Sequence, residues 1–289
     1  MPRAHVNGID IEYTTGGDPS GTPLLLVMGL GGQLDAWPQG FVDGLAARGF
    51  FVIRFDNRDC GLSTKFEGMP DFMALFAGDP ASAPYRLEAM ADDAAALLAE
   101  LGIAKAHVVG VSMGGMITQA LVINHPDLFL SASSIMSTTG DRSVGTPTGE
   151  AATALMRPPA TNREEAIAAS LEGGRVIGSP GYPTDESILR ERAGAAYDRS
   201  YCPDGTARQL AAILASPDRT AALHGVRMPF LVIHGEADPL IVLSGGQATA
   251  AAVPGAKLIT IPGMGHDLPE ALWGTITDAI VANTELAAV

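Results

Sequence analysis

The sequence predicts an α/β fold, a mostly parallel central sheet flanked by helices, with one helical insertion between two strands. Short continuous apolar runs, each ended by a glycine or a polar residue, alternate with segments of helical periodicity. This alternation stops after residue 136 and resumes at residue 227. The chain has 289 residues, 47% of them hydrophobic, so it can bury a substantial core. We expect an α/β core at residues 1–136 and 227–289 and a helical cap, or lid, at residues 137–226, here called the insertion.

The first element is expected to be an antiparallel hairpin, because residues 5–17 alternate in polarity around an Asn-Gly turn signal. Continuous apolar runs are typical of strands buried on both faces of a parallel sheet. Four such runs follow: PLLLVMG, FVIRFD, HVVGVS and PFLVIHG. Helices are expected around residues 36–48 and at residues 87–102, where apolar residues recur at helical spacing and Gly102 stands at a C-cap position.

The insertion is rich in proline, glycine, alanine and charged residues, and it has no convincing strand pattern. Its amphipathic stretches are REEAIAASLEG and DESILRERAGAAYDRSY. Insertions of this kind commonly cover active sites, so we expect a cap over the sheet. The alternative is a segment for packing or interaction alone. Dimerisation through the cap, giving a homodimer, could coexist with catalysis.

The charge and the cysteines exclude several function classes. The formal net charge is −14, and phosphate binding needs clustered lysine and arginine, so neither nucleic acid nor an anionic membrane surface is expected as a partner. Cys60 and Cys202 lie in no motif typical of a metal or redox site. The N-terminus lacks an apolar signal region, and no apolar run approaches the roughly 20 residues that span a bilayer. These features predict a cytoplasmic protein.

Residues 110–114, GVSMG, match the pattern Gly-x-Ser-x-Gly between a predicted strand and a predicted helix. So tight a turn strains the serine backbone, and we expect side chains at Gly110 or Gly114 to collide with neighbouring strands. The turn would hold the Ser112 hydroxyl above the carboxyl end of the sheet, beside the first amides of the helix. Ser112 is therefore the candidate nucleophile.

A serine hydroxyl needs a base to remove its proton, and six histidines compete for that role. His266 lies in a glycine-rich loop after a late strand-like run, where it can reach over the sheet, and it is the candidate base. The strongest rival is His234, which we interpret as support for the loop that follows it. The other four are interpreted as surface or packing residues: His5, His107, His125 and His224.

An acid must orient the base, and in this architecture it lies between the serine and the histidine in the chain. Asp238 ends a strand just before Pro239, on the same sheet edge as the other two candidates, and is our choice. Glu236 is the alternative. Asp267 directly follows the candidate base, and it is disfavoured because adjacent side chains in a loop rarely face each other.

Stabilising an oxyanion requires backbone N–H donors. Residues 28–32, MGLGG, follow the first long apolar run, and their glycines let the backbone approach a ligand closely. We assign the two donors to the amides of Leu30 and Met113.

Five motifs, in this order, resemble those of the α/β-hydrolase superfamily over nearly the whole chain: VMGLGG, RFDNRDCGLST, GVSMGG, GEADP and PGMGH. Their forms most resemble small bacterial esterases of the aclacinomycin methylesterase type. The resemblance implies the α/β-hydrolase fold and a carboxylic-ester hydrolase with a helical cap. By motif position it assigns the nucleophile to Ser112, the acid to Asp238, the base to His266, and the oxyanion donors to Leu30 and Met113.

Two positions depart from the commoner family pattern. Met28-Gly29 stands where His-Gly is usual, and Asp59 stands where the loop that begins at Asp56 usually has a glycine. Neither position belongs to the Ser-His-Asp set. A nucleophilic serine also excludes the dehalogenase branch of the superfamily, whose nucleophile is a carboxylate.

The predicted function is hydrolysis of a small to medium, neutral, fairly apolar carboxylic ester through an acyl-enzyme, with no metal or organic cofactor. The same triad also serves lactone opening, C–C bond hydrolysis of diketones and peracid formation, and the motifs do not separate these reactions. A ligand receptor of low turnover is the non-enzymatic alternative. The correct order of the triad residues disfavours it.

Overall fold

The computed structural model describes residues 2–155 and 157–287. Within this part of the chain, eight strands form one sheet in the order β1-β2-β4-β3-β5-β6-β7-β8. The strands are β1 (Arg3–Val6), β2 (Ile9–Gly16), β3 (Thr22–Val27), β4 (Phe50–Phe55), β5 (Ala106–Val111), β6 (Phe129–Ile135), β7 (Phe230–Gly235) and β8 (Lys257–Ile261). From β4 to β8 every neighbouring pair is parallel. The predicted α/β class, with its mostly parallel sheet, is confirmed.

Helices cover both faces of this sheet and fill the chain between β6 and β7. The α-helices are α1 (Gln39–Ala46), α2 (Phe72–Phe76), α3 (Leu87–Glu100), α4 (Met113–Asn124), α5 (Ala151–Ala154), α6 (Arg163–Ile177), α7 (Glu186–Arg199), α8 (Pro203–Ala215), α9 (Thr220–Leu223), α10 (Ser244–Ala252) and α11 (Trp273–Thr284). Short 3-10 helices lie at Leu34–Ala36, Pro80–Ser82, Pro126–Leu128 and Glu270–Leu272. None of the helices described is both long and apolar enough to cross a bilayer.

The predicted hairpin is present. Strands β1 and β2 pair antiparallel, and the turn residues Asn7 and Gly8 have φ values of 50° and 77°. Positive φ at both central residues is what a two-residue hairpin turn requires, and asparagine and glycine tolerate it best. The helix expected from residue 87 is α3, and Gly102, with φ 71°, follows its end as predicted.

The sheet separates two apolar layers, and β3 shows how. Leu24 and Leu26 pack with α1 and α11 on one face, whereas Leu25 and Val27 pack with α3 and α4 on the other. All four side chains are fully buried. Because alternate residues of a strand point to opposite faces, a strand buried on both faces has to be continuously apolar. Each such side chain contributes about 1.5–3 kcal/mol of burial free energy.

The insertion runs from the end of β6 to the start of β7 and, where the structure describes it, contains helices α5 to α9 and no strand. Helices α6 and α7 pack side by side, and α8 contacts α2 of the core. The insertion therefore leaves the sheet at the carboxyl end of β6 and returns to it at the amino end of β7. Its boundaries as a separate cap domain remain a prediction.

Candidate active site

Ser112 lies between the end of β5 and the start of α4, with φ 55° and ψ −121°. Such a backbone conformation costs a non-glycine residue of order 1–3 kcal/mol and persists only when its surroundings impose it. Two hydrogen bonds hold the residue here. Its N–H donates to the Ile135 carbonyl of β6 at 2.9 Å, and the Ser137 hydroxyl donates to its carbonyl at 2.8 Å. The strain therefore presents the side chain at the carboxyl edge of the sheet.

The two glycines of the turn are required for different reasons. A Cβ on Gly114 would lie 2.0 Å from the carbonyl oxygen of Val27 in β3, so a neighbouring strand forbids a side chain there, as predicted. The same expectation is wrong for Gly110. Its Cβ would lie 2.0 Å from the Gly114 carbonyl and 2.4 Å from the Thr118 hydroxyl, so the obstacle is the following helix. The first turn of α4 packs directly onto the strand that leads into it.

Asp238 follows β7 in a turn that its own carboxylate organises. Oδ1 accepts hydrogen bonds from the backbone N–H groups of Leu240 and Ile241, at 2.9 and 3.0 Å. Oδ2 lies 2.7 Å from Nδ1 of His266. The side chain is fully buried. Backbone donors thus hold one carboxylate oxygen and leave the other to orient the histidine.

His266 lies in the loop after β8 and reaches the serine. Its Nε2 is 2.9 Å from Ser112 Oγ, and only 7% of its side chain is exposed. With Nδ1–H donating to Asp238, Nε2 is free to accept the serine proton. The structure therefore brings together three side chains predicted separately. Such an arrangement can activate a hydroxyl as a nucleophile.

His234 is buried directly behind the acid. Its Nε2–H donates to the Ile241 carbonyl at 2.7 Å, and the same nitrogen is 3.7 Å from Asp238 Oδ2. Burial lowers the pKa of His234, which favours its neutral form. It therefore ties the acid-bearing turn together without reaching Ser112, consistent with the supporting role expected from the sequence.

The other two acidic candidates point elsewhere. Glu236 accepts a hydrogen bond from the Thr260 hydroxyl at 2.8 Å, and Asp267 accepts one from the Ser179 hydroxyl. Burial raises the pKa of Asp267. Among the described residues, neither carboxylate bonds to His266, which leaves Asp238 as the acid in contact.

The 28–32 loop approaches the serine closely, since a Cβ on Gly29 would lie 3.6 Å from Ser112 Oγ. The Gly31 and Gly32 amides are engaged, the first by the Gln209 side chain at 2.8 Å and the second by the Gly29 carbonyl at 3.2 Å. Across the part of the chain that the structure describes, the Leu30 and Met113 amides donate to no side chain and to no turn or loop carbonyl. Both amides are thus free for another partner. Met113 directly follows Ser112, and Leu30 lines the same cavity as Ser112.

Asp59, the departure from the family glycine, has φ 66°, a left-handed conformation that suits glycine. Its buried carboxylate compensates by forming several hydrogen bonds. It accepts from the Tyr85 hydroxyl at 2.6 Å and from two nitrogens of Arg208, in helix α8, at 2.8 and 2.9 Å. Sequence reasoning missed this contact between the core and the insertion.

An apolar cavity of about 600 Å³ opens above Ser112 and His266. A second cavity, of about 930 Å³, lies between α6 and α7, and five residues line both cavities: Ile177, Thr184, Leu189, His266 and Asp267. The first is within the range of small-molecule sites, roughly 300–1,000 Å³. Nowhere in the described chain do three or more His, Cys, Asp or Glu side chains form a group that could hold a metal ion. The cavity and the hydrogen-bonded Ser112 and His266 together suit acyl transfer on a small molecule.

The matches to known proteins cover both the core and the insertion. A family model for the alpha/beta hydrolase fold matches residues 22–270. Rhodomycin D methylesterase DauP of Streptomyces sp. (strain C5) is 31% identical over 292 residues, which covers 94% of each chain. 3-Oxoadipate enol-lactonase 2 of Acinetobacter baylyi is 27% identical over 83% of this chain and 80% of its own. A solved structure, the enol-lactonase from Burkholderia xenovorans LB400, superposes with a TM-score of 0.75 at 22% identity, covering 98% of this chain and all of that one.

Proposed function

This chain belongs to the α/β-hydrolase family and is a carboxylic ester hydrolase, and we propose that Ser112, His266 and Asp238 carry out its reaction. One observation carries the proposal: a continuous line of hydrogen bonds, 2.9 Å from Ser112 Oγ to His266 Nε2 and 2.7 Å from His266 Nδ1 to Asp238 Oδ2. A serine at neutral pH is a poor nucleophile, and in this arrangement His266 can accept its proton as a general base.

In the acylation step, Ser112 Oγ attacks the ester carbonyl carbon while its proton moves to His266 Nε2. Asp238 holds the imidazole with Nδ1 protonated and stabilises the imidazolium that forms. When the tetrahedral intermediate collapses, the C–O bond to the alcohol breaks and Nε2 returns the proton to the leaving oxygen. The acyl group is then an ester of Ser112.

Deacylation repeats these steps with water. His266 Nε2 takes a proton from water as the hydroxide attacks the acyl-enzyme carbonyl, and then gives the proton to Ser112 Oγ as that bond breaks. In both steps the Leu30 and Met113 amides are proposed to donate to the oxyanion. Removal of one such donor costs about 2.7–4 kcal/mol in the barrier.

The substrate is proposed to be a neutral, largely apolar ester of small to medium size, bound beneath the insertion acting as a cap. The cavity above Ser112 supports this, because its lining includes Met116, Met136 and Leu268 from the core and Ile177 and Leu189 from the insertion. The methylesterase relative favours a small alcohol as the leaving group. Methyl esters should therefore be hydrolysed faster than benzyl esters of the same acid.

Lactone opening is the second candidate, and the enol-lactonase relative favours it. The chemistry differs only in that the alcohol stays attached to the acyl group after the ring opens. A comparison of kcat/KM for γ- and δ-lactones with that for open-chain methyl esters of equal carbon number decides between the two substrate classes.

The test is hydrolysis of p-nitrophenyl esters from acetate to decanoate by wild type, Ser112→Ala and a matched control, Ser133→Ala. Ser133 is a buried serine of β6 that does not line the cavity. The proposal expects Ser112→Ala to lose about 10⁴-fold or more in kcat while Ser133→Ala stays within a few-fold of wild type. Turnover by Ser112→Ala near the wild-type rate would overturn the mechanism.

A further inference from the structure

A side chain of the insertion holds the 28–32 loop. Gln209, in α8, is fully buried, and its Oε1 accepts the Gly31 N–H at 2.8 Å. Its Nε2 donates to the Arg58 carbonyl at 2.7 Å. One glutamine amide thus bridges two loops that both follow strands of the core. Because both its donor and its acceptor are used, its orientation is fixed by the contacts on either side.

The backbone bonds of the loop explain why this contact matters. Leu30 and Gly31 are the central residues of a turn closed by the Gly32 N–H and the Gly29 carbonyl at 3.2 Å, with Gly31 at φ 66°. The peptide between the two central residues is the one that reorients when a turn changes type. Gln209 binds the N–H of that peptide, so it holds the turn in one form.

The hydrogen bond to Gln209 also distinguishes the Gly31 amide, which is occupied, from the neighbouring Leu30 amide, which is not. With the Gly31 N–H engaged, the Leu30 amide is the one left free, and Leu30 lines the same cavity as Ser112. Without Gln209, the Gly31 N–H would be an unpaired donor in the turn that carries the Leu30 amide, and a change of the turn would be the way to pair it within the protein. Because a buried donor without a partner is unfavourable, loss of Gln209 would favour such a shift.

The core anchors the loop at its other end, since Asn57 Nδ2 donates to the Met28 carbonyl at 3.0 Å. That contact fixes where the loop leaves β3 but does not reach the turn. Cys60, also in the core, contacts the turn through the Gly31 and Gly32 carbonyls, at 3.4 and 3.2 Å from its Sγ. The N–H of the central peptide is held from the insertion, by Gln209.

We propose that Gln209 is a positioning residue for the oxyanion hole, and that docking of α8 is what places the Leu30 amide for catalysis. This inference rests on the proposed Ser112 mechanism. Donor placement matters more in the transition state than in the ground state, so Gln209 should affect kcat rather than KM.

The experiment compares Gln209→Met with Gln119→Met. Methionine keeps the approximate volume of glutamine and removes both hydrogen bonds. Gln119 is an equally buried glutamine, in α4, whose Oε1 accepts from Arg219 Nε at 3.0 Å. Gln119→Met therefore measures the effect on activity of replacing any buried, hydrogen-bonded glutamine by methionine. Rates are divided by the number of active sites, counted by fluorophosphonate labelling, which removes any effect of a smaller folded fraction.

For Gln209→Met the expected result is a fall of about 10- to 100-fold in kcat per labelled site, with KM within about threefold of wild type. Affinity for a trifluoromethyl ketone, which forms a tetrahedral adduct, should fall by a similar factor. Gln119→Met should keep the wild-type rate per site.

Equal kcat per site in wild type and Gln209→Met, or an equal loss in Gln119→Met, would overturn the inference. Those outcomes leave the proposed function standing if Ser112→Ala is inactive and the label maps to Ser112. Full activity in Ser112→Ala would instead remove the function on which the inference rests.

Discussion

The core and the insertion hold different parts of the candidate site. Backbone contacts within the core hold Ser112 and Asp238, through the Ile135 carbonyl and the amides of Leu240 and Ile241. Ser137, the first residue of the insertion, adds only a hydrogen bond from its hydroxyl to the Ser112 carbonyl. The two loops around them take contacts from the insertion. Gln209 binds the 28–32 loop, and the Ile177 carbonyl accepts the His266 N–H at 2.7 Å. The difference indicates that core contacts position Ser112 and Asp238, whereas insertion contacts hold the backbone of the 28–32 loop and of His266.

The ion pairs between insertion and core, here called the seam, are more buried than those on the outer surface of the insertion. Arg199–Asp56 and Arg208–Asp59, both at 2.8 Å, join insertion to core, and both aspartate side chains are fully buried. On the outer face, ion pairs such as Arg190–Glu186 are well exposed. Exposed pairs contribute about 0–1 kcal/mol, whereas removal of one partner of a buried pair costs about 3–5 kcal/mol. Loss of a partner from either buried pair should therefore weaken the attachment of the insertion more than loss of an exposed pair.

The largest expected effect comes from breaking the core half of the site. Asp238→Asn keeps the size of the side chain but would favour the wrong tautomer of His266, and it should lower kcat about 10³- to 10⁴-fold. Glu236→Gln, two residues away and bonded to Thr260, is the matched control and should keep kcat within a few-fold. Steady-state kinetics on a p-nitrophenyl ester measures both, and a comparable loss in the two variants would contradict the assignment of the acid.

Breaking the seam should cost stability. Arg208→Met leaves the Asp59 carboxylate buried without its cation, so the free energy of unfolding should fall by about 3–5 kcal/mol. Arg190→Met removes an exposed pair and should change it by less than about 1 kcal/mol. Urea denaturation followed by circular dichroism compares them. Equal stability of the two variants would mean that the seam is no stronger than the surface.

The core and the insertion also differ in how closely other atoms pack around their glycines. Gly173, in α6 of the insertion, has nothing within 4 Å of the position that a Cβ would occupy, so Gly173→Ala should stabilise the helix by about 0.5–1 kcal/mol. Gly114→Ala, in the core, has to displace the Val27 carbonyl and should lower both stability and activity. Thermal unfolding of the two variants in parallel tests the expectation, which fails if Gly173→Ala lowers the melting temperature.

The smallest effect concerns the two thiols. Burial raises the pKa of Cys60 to about 12, and its Sγ–H donates to the Gly32 carbonyl at 3.2 Å, while Cys202, in the insertion, is half-buried. Only a thiolate reacts readily, so a disulfide reagent at about pH 7.5 should label Cys202 first and Cys60 only after unfolding. Peptide mapping after a timed reaction distinguishes them. Rapid labelling of Cys60 in the native protein would show that the seam opens readily.

The amino-acid sequence is enough to predict the core, because the rules involved are local. A strand buried on both faces is continuously apolar, and the tight turn at Ser112 requires glycine at positions 110 and 114. The contacts of Gln209 and of Arg208 cannot be predicted from such local rules. They join residues far apart in the chain, 178 positions for Gln209 with Gly31 and 149 for Arg208 with Asp59, and neither follows a periodic pattern. In the sequence Asp59 stands out only as a departure from a glycine, although a carboxylate at that position is itself a signal that something cationic faces it.

The most direct test of the proposed triad is to map the covalent adduct of a fluorophosphonate on the native chain by peptide mass spectrometry. The triad predicts one adduct per chain, located on Ser112, with esterase activity lost in proportion to labelling and with no adduct in Ser112→Ala. Adduct formation on another residue, or full activity after Ser112 is completely labelled, would contradict it.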